Sequence, residues 1–466
     1  MFKRFEHDAR GRLANPASAA VIANPGPLPA IEPAAGPNRD RPSKNWLDLK
    51  TRLHDRLLQT LNLAAIDKVA RGDLRREVGN IVSEYLASEG IALNAREHNQ
   101  IVEELLDEVL GLGPLEPLLK DSTVNDILVN THEHVFVERL GRLELTPVRF
   151  KDQPHLLRII DKIVSGVGRR VDESQPWVDA RLADGSRVNV IVQPCALDGP
   201  VVSIRKFGKV PLTMERLLAH EALTEPMAGL LRGVVNARLN VLISGGTGSG
   251  KTTILNAMSS FIDERERIIT IEDSAELQLQ QFHVVRLETR PPNIEGRGAV
   301  QQRDLLRNAL RMRPDRIVVG EVRGAEAVDM LQAMNTGHDG SMTTIHANTP
   351  RDALSRLEQM IMMAGVEFPL RSMRSQIASA IHVVLQLERS ADGRRRVVSI
   401  QEITGMEGEV VTMQEIFRFR RRGVDPQGRV IGSFEPSGIR PNFAERLQIH
   451  GFPLPVDMFS APRGTS

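Results

Sequence analysis

The stretch Gly245-Gly246-Thr247-Gly248-Ser249-Gly250-Lys251-Thr252-Thr253 restricts the possible folds of this chain more than any other feature. It has the form G-x-x-x-x-G-K-[ST], follows an apolar run from Leu239 to Ile243 and precedes a helix-period stretch from Ile254 to Ile262. Strand, glycine-rich loop and helix in that order make a phosphate cradle. Gly245, Gly246, Gly248 and Gly250 are expected to let the backbone curl with its N–H groups inward, where a Cβ would hinder it. The helix that follows offers its partly positive N-terminus to the same anion. Lys251 is expected to reach the β- and γ-phosphates, and the Thr252 hydroxyl to sit on Mg²⁺. The expected ligands are ATP and Mg²⁺, and the whole run from Gly245 to Thr253 is assigned to the nucleotide.

Two further runs bring acids to the same place. Arg267 to Asp273 is an apolar strand ending in Glu272 and Asp273, and Arg316 to Glu321 is a second one ending in Gly320-Glu321. Ligands of open α/β sheets bind outside the carboxyl ends of their strands, and carboxylates there can manage a metal-bound water or take a proton from it. A third run, Met342 to Ile345, ends on His346 and places an imidazole at that edge, where it can hydrogen-bond a phosphate oxygen.

With 466 residues the chain is too long for one ordinary core, and its patterning changes along its length. Residues 1–45 are rich in Pro and Ala and are expected to form a disordered tail. Residues 46–112 carry Leu and Val at helical spacing, with a capping-box signature at Asn94 and Glu97, and are expected to form a small helical bundle. Residues 113–208 alternate like short strands around one helix and are expected to form an α+β sheet domain, with Asp184-Gly185 as a tight turn. Pro211 marks a linker, residues 209–425 carry the nucleotide motifs, and 426–466 are assigned to a C-terminal extension. The basic run Arg418, Arg420, Arg421 and Arg422 is expected to be a solvated face. In the sheet domain Arg169, Arg170, Arg181, Arg187 and Arg205 crowd near turns.

Composition removes several alternatives. The net charge is +1 and aromatic residues make up 4% of the chain, which speaks against a nucleic-acid motor, so no nucleic-acid partner is expected. The single cysteine, Cys195, excludes internal disulfides and a cysteine-rich zinc module and suits a reducing cytoplasm. No apolar run approaches the ~20 residues needed to span a bilayer. The complete set of acids and His346 argues against a scaffold that binds nucleotide without hydrolysing it.

The P-loop, Thr270-Ile271-Glu272-Asp273 with Glu276, Gly320-Glu321-Val322-Arg323-Gly324 and Gly337 to Asn348 together resemble the secretion-ATPase superfamily that drives pili and type II and type IV secretion. Within it, Thr336 to Asn348 and Asp352 to Glu358 are most similar to the Tad/Flp pilus assembly ATPases, the CpaF-like group; a VirB11-like type IV secretion ATPase is the second reading. The resemblance covers roughly residues 46–420. It implies a RecA-like P-loop domain behind an N-terminal α+β (PAS-like) domain and a helical bundle, assembled as a homo-hexamer. It also implies inner-membrane pilus platform proteins as partners, with peripheral attachment through them at the cytoplasmic face of the inner membrane. Carried over by motif, Glu272 activates water, Glu321 supports the metal shell, His346 senses the γ-phosphate, and Arg181, Arg187 and Arg205 reach a nucleotide as fingers or clamps. The second acidic strand ends in Glu321 where P-loop enzymes commonly have Asp, which leaves the roles of Glu272 and Glu321 open at this point.

Overall fold

The computed structural model describes residues 44–60, 70–139, 141–208, 212–293, 296–365 and 368–460. The Pro/Ala-rich tail up to residue 43 and the Pro211 linker lie outside the described residues. The chain begins with three helices, α1 (Lys44–Thr60), α2 (Arg71–Ser88) and α3 (Ala95–Leu110). Each buries one stripe: Leu49, Leu53 and Leu57 on α1, Leu74, Val78, Val82 and Leu86 on α2, Ile101, Leu105 and Leu106 on α3. These are the i, i+3 and i+4 positions of amphipathic helices, and the stripes close on one another as a core. Asn94 and Glu97 make the expected capping box, each side chain accepting from the other's backbone N–H at 2.9 and 3.0 Å.

After the short α4 (Glu116–Lys120) comes a six-stranded antiparallel sheet built from β1 (Val124–Val129), β2 (Val135–Arg139), β3 (Arg142–Leu145), β4 (Trp177–Arg181), β5 (Arg187–Ile191) and β6 (Val201–Arg205). Its order is β3-β2-β1-β6-β5-β4, and α5 (Gln153–Ser165) covers one face with Leu156, Ile159, Ile160 and Ile163. The register has a consequence for the opposite face. Arg181 pairs with Arg187, Arg187 with Arg205, Arg205 with Asp126, and Asp126 with Glu138. Directly opposed residues share a face, so three arginines and two acids form one row across five strands. Like charges directly opposed are destabilising in a sheet, so packing of the sheet alone does not account for this row.

The remaining elements are α6 (Met214–Ala219), α7 (Glu225–Asn236), β7 (Val241–Gly245), α8 (Lys251–Ser259), β8 (Ile268–Glu272), β9 (Val284–Glu288), α9 (Gln302–Ala309), β10 (Arg316–Val319), α10 (Glu326–Asn335), β11 (Met342–Ile345), α11 (Pro350–Met363), α12 (Leu370–Ala380), β12 (Val383–Arg389), β13 (Arg395–Glu407), β14 (Val410–Val424), β15 (Val430–Pro436) and α13 (Ala444–Ile449). Their nine strands run in the order β15-β14-β13-β12-β7-β11-β10-β8-β9. From β12 to β9 the pairings are parallel, and from β12 to β15 antiparallel. Every residue of β7, β8, β10 and β11 is buried, as continuous apolar strands of a parallel sheet must be when helices cover both faces. One core joins Ile243, Leu255 and Met258 to α7, and the other joins Leu242, Ile271 and Val319 to α9 through α12. The fold is therefore α/β, with the all-antiparallel sheet and the helices in front of it.

The boundary drawn at residue 425 falls inside this sheet. β15 completes the β14 hairpin, Val424 pairing with Val430, and Phe443, Ala444 and Leu447 enter the same core as α7. A short, Pro- and Gly-rich C-terminal sequence looks like an appendage because its few apolar residues gain meaning only against α7.

Candidate nucleotide site

β7 feeds directly into the glycine loop. Gly248 and Gly250 take φ of +67° and +96°, left-handed angles that strain any residue with a Cβ. At Gly245 the constraint is space, because a Cβ would stand 2.5 Å from Ser249 Oγ and 2.7 Å from the Leu387 carbonyl oxygen. Gly246 departs from the expectation: nothing lies within 4 Å of its Cβ position, so the protein alone does not demand glycine there.

Lys251, the first residue of α8, is almost wholly buried and folds back over the loop, its Nζ donating to the carbonyls of Gly245 and Gly246 at 3.0 Å each. Burial lowers its pKa to about 8; Glu321 opposes the shift, while Arg205 and Arg323 add to it. His346, past the tip of β11, lies 3.3–3.4 Å from Lys251 Nζ through both ring nitrogens. Its Nε2 is 2.8 Å from Glu321 Oε1, but without the alignment of a formed hydrogen bond, so that oxygen has no hydrogen-bond partner among the described residues. Burial holds the imidazole below its ordinary pKa, assisted by Lys251 and opposed by Glu321. Glu321 is held from its other side by Arg323, 2.5 Å away.

Glu272 ends β8 with 3% of its surface exposed. Oε2 accepts from the amides of Glu276 and Leu277 at 2.7 and 2.9 Å, whereas Oε1 is buried with no partner among the described residues. Desolvation pushes its pKa up to about 7, against the pull of those two amides. Its side chain crosses Gly320, whose Cβ would stand 2.8 Å from Glu272 Cγ. The residue before Glu321 is thus a glycine because Glu272 needs the room.

The three sheet-domain arginines do not converge on one point. Arg181 reaches Glu288 at 2.7 Å and the Ala275 carbonyl at 2.5 Å, and Arg187 reaches Glu276 at 2.9 Å. Both therefore grip the loop whose amides hold Glu272. Arg205 instead lies near enough to the P-loop to depress the Lys251 pKa. Sequence reasoning did not single out Arg389 and Arg395, which also stand beside the P-loop, or Asp126 and Glu138, which lie near those arginines. Arg395 Nε donates to the Gly248 carbonyl at 2.9 Å, and Arg389 lies 3.9 Å from Glu138. A signal was available, because a strand that pairs in parallel beside β7 must deliver its own tip to the same edge.

Among the described residues no helix is long and apolar enough to cross a membrane. Residues 108–426 match the family described as Type II/IV secretion system protein, and residues 46–110 match the Type II secretion system protein E, N-terminal domain. A Mycobacterium tuberculosis protein named for conjugal transfer is 40% identical over 312 residues, covering 66% of this chain and 88% of the relative. The type IV secretion system protein PtlH of Bordetella pertussis is 35% identical over 317 residues, covering 62% of this chain and 93% of its own. Among solved structures, the VirB11 ATPase from the Brucella suis type IV secretion system is 29% identical, covering 62% of this chain and 96% of that one, with a TM-score of 0.34. The family match extends over more than half of the chain, and this protein belongs to the Type II/IV secretion system protein family.

Proposed function

We propose that the chain is a magnesium-dependent ATP hydrolase, working as a homo-hexameric motor on membrane components of a type IV secretion or conjugation system. The observation that carries this reading is Glu272: a carboxylate at the P-loop edge of the sheet, buried, with one oxygen tied to two amides and the other unpartnered. With a pKa of about 7 it is matched to taking a proton from water near neutral pH.

The residues present fit Mg²⁺. Glu272 Oε1 and Glu321 Oε1 are buried hard-oxygen acceptors without aligned donors, and the described residues hold no cluster of three His, Cys, Asp or Glu that would compete as a dedicated metal cage. Magnesium keeps several waters and takes few protein ligands; Thr252 and Glu321 would hold it, and when bound it offsets charge on the phosphates. The amides of Gly246 to Lys251 bind the phosphates, and Lys251 exchanges its own loop carbonyls for phosphate oxygens. His346, neutral at pH 7 by its lowered pKa, donates to a terminal phosphate oxygen. Glu272 Oε1 orients the attacking water and accepts its proton.

The relatives' names support the secretion and conjugation reading, placed second in the sequence analysis, more than the Tad/Flp pilus reading placed first. The pilus reading rests on the Thr336 to Asn348 and Asp352 to Glu358 motifs and is the second proposal. In either case attachment to the cytoplasmic face of the membrane would come through partner proteins. Phosphate release by the purified chain with ATP and Mg²⁺ tests the enzyme: wild type turns over, Lys251→Ala and Glu272→Gln do not, and Glu272→Gln still binds nucleotide. Normal turnover by Glu272→Gln removes it as the base. Deleting the gene separates the systems, since loss of DNA or protein transfer supports the first reading and loss of surface pili the second.

A further inference from the structure

We propose that Arg389 and Arg395 bind the phosphates of the nucleotide within their own chain, and that Asp126 and Glu138 of the antiparallel sheet occupy that place when nucleotide is absent. The inference rests on the ATP reading above and adds to it two cations and two acids outside the recognised motifs.

Position comes first. β12 runs parallel to β7 with Leu387 in register with Gly245, so Arg389, two residues on, projects beyond the tip of β7 at the level of the glycine loop. Arg395 is directly opposite Arg389 across the β12–β13 pair, which puts both guanidinium groups on one face. Arg395 Nε donates to the Gly248 carbonyl at 2.9 Å, and its Cδ lies 3.5 Å from where a Gly250 Cβ would be. Arg389 Nη1 lies 3.5 Å from the corresponding position on Gly248. Both side chains therefore lie against the loop whose amides face the phosphates.

Charge is the second argument. Opposed like charges are unfavourable, and here Arg389 and Arg395 are crowded further by Arg205; burial, then Arg389 and Arg205, lower the pKa of Arg395 against the pull of Glu138 and Asp126. Such a concentration of cations fits a polyanion better than it fits the protein alone.

In this state the cations are offset by groups of the antiparallel sheet. Arg389 Nη2 donates to the Gly141 carbonyl at 2.9 Å in the β2–β3 turn and stands 3.9 Å from Glu138 Oε1. Asp126 is opposite Glu138 and, on its other side, opposite Arg205. Two neighbouring carboxylates thus face the arginines, although each destabilises the other's charge; burial and Glu138 raise the Asp126 pKa while Arg205 and Arg389 lower it. A triphosphate carries more charge than this pair and competes for the same donors. Its binding frees the Gly141 turn from Arg389, so the state of the P-loop is read directly by the antiparallel sheet.

Equilibrium binding of a fluorescent ATP analogue with Mg²⁺ to the full chain tests this, with a thermal melt of each variant as a check on folding. Arg389→Ala and Arg395→Ala each weaken binding about tenfold or more, the worth of a hydrogen bond to a charged group. The double variant Asp126→Asn with Glu138→Gln moves the other way and tightens binding several-fold, which loss of a merely structural contact would not do. Should an arginine variant fail to fold, the acid variant decides alone: unchanged or weaker binding overturns the proposal. Wild-type binding indifferent to all of these substitutions overturns this inference and leaves the ATPase reading standing. No binding by wild type overturns both.

Discussion

Arg187 Nη1 stands 2.9 Å from Oε1 of Glu276, and the amide of that same Glu276 donates across 2.7 Å to Oε2 of Glu272. One residue earlier, the Ala275 carbonyl accepts from Arg181, which also pairs with Glu288. Two arginines of the antiparallel sheet therefore hold the loop that holds the proposed base. On the proposed mechanism they would act through Glu272, as positioning residues within their own chain.

Arg181→Ala and Arg187→Ala should consequently lower kcat by about ten- to a hundredfold, the effect of a small misplacement of a reacting group, while leaving KM nearly unchanged. Steady-state phosphate release checks the split. Mixing Arg181→Ala subunits with Lys251→Ala subunits should recover no activity at any ratio, because the arginine serves its own chain. A recovered rate would put Arg181 on a neighbour's nucleotide and remove the positioning role.

Glu272 links the site to stability. Its pKa rises from 4.5 to about 7 on folding because the carboxylate is desolvated. Below pH 4.5 the group is neutral in both states and contributes no difference. As pH rises through 7 the unfolded chain has already released this proton while the folded chain resists, so folded-state stability falls by about 3 kcal/mol. Glu272→Gln removes that loss and should raise the unfolding free energy by up to about 3 kcal/mol at pH 8, with little change at pH 5. Urea denaturation at the two pH values measures it, and a destabilised variant at pH 8 would mean that the charge is stabilised after all.

Gly320→Ala should be damaging for a reason found only in three dimensions. The added Cβ would stand 2.8 Å from Glu272 Cγ in a buried, close-packed layer. Glu272 or β10 must shift, at a cost of about 1–3 kcal/mol. Turnover should drop with Glu272 displaced, while the P-loop still binds nucleotide, and a binding titration beside a rate measurement shows both. Wild-type turnover would mean that the base does not depend on this packing.

The parts of the site legible in the sequence are those whose chemistry is local. The glycine loop, the acids at the tips of β8 and β10 and His346 past β11 sit at strand ends, and a parallel sheet with its ligand edge brings such ends together. The arginines were visible as a crowd near turns, but their separation into a pair on the Glu272 loop and one beside Lys251 follows from cross-strand register. Arg389 and Arg395 flank the Asp392-Gly393 turn, where charged residues ordinarily mark solvent, and only the pairing of β12 with β7 places them against Gly248. The run assigned to a solvated face is exposed, and three of its arginines share a partner that the sequence does not reveal: Arg418, Arg420 and Arg422 each lie within 4 Å of Glu435 on β15.

The C-terminal segment gives the clearest case of long-range packing that sequence patterning misses. Leu447 is 0% exposed and sits so close to α7 that a Cβ on Gly233 would meet its Cδ2 at 2.7 Å. Phe443, Leu454 and Phe459 belong to the same core as Leu255 and Ile243, on the P-loop side of the sheet. Leu447→Ala should therefore cost about 2–5 kcal/mol, as buried leucines do when truncated, and lower the melting temperature of the nucleotide domain itself. A chain cut after residue 425 should lose more, since it strands β14 without its partner and opens that core. An independent appendage would behave differently: the substitution would leave the main transition in place, and the shortened chain would melt like the full one. Calorimetry on both variants distinguishes the two arrangements.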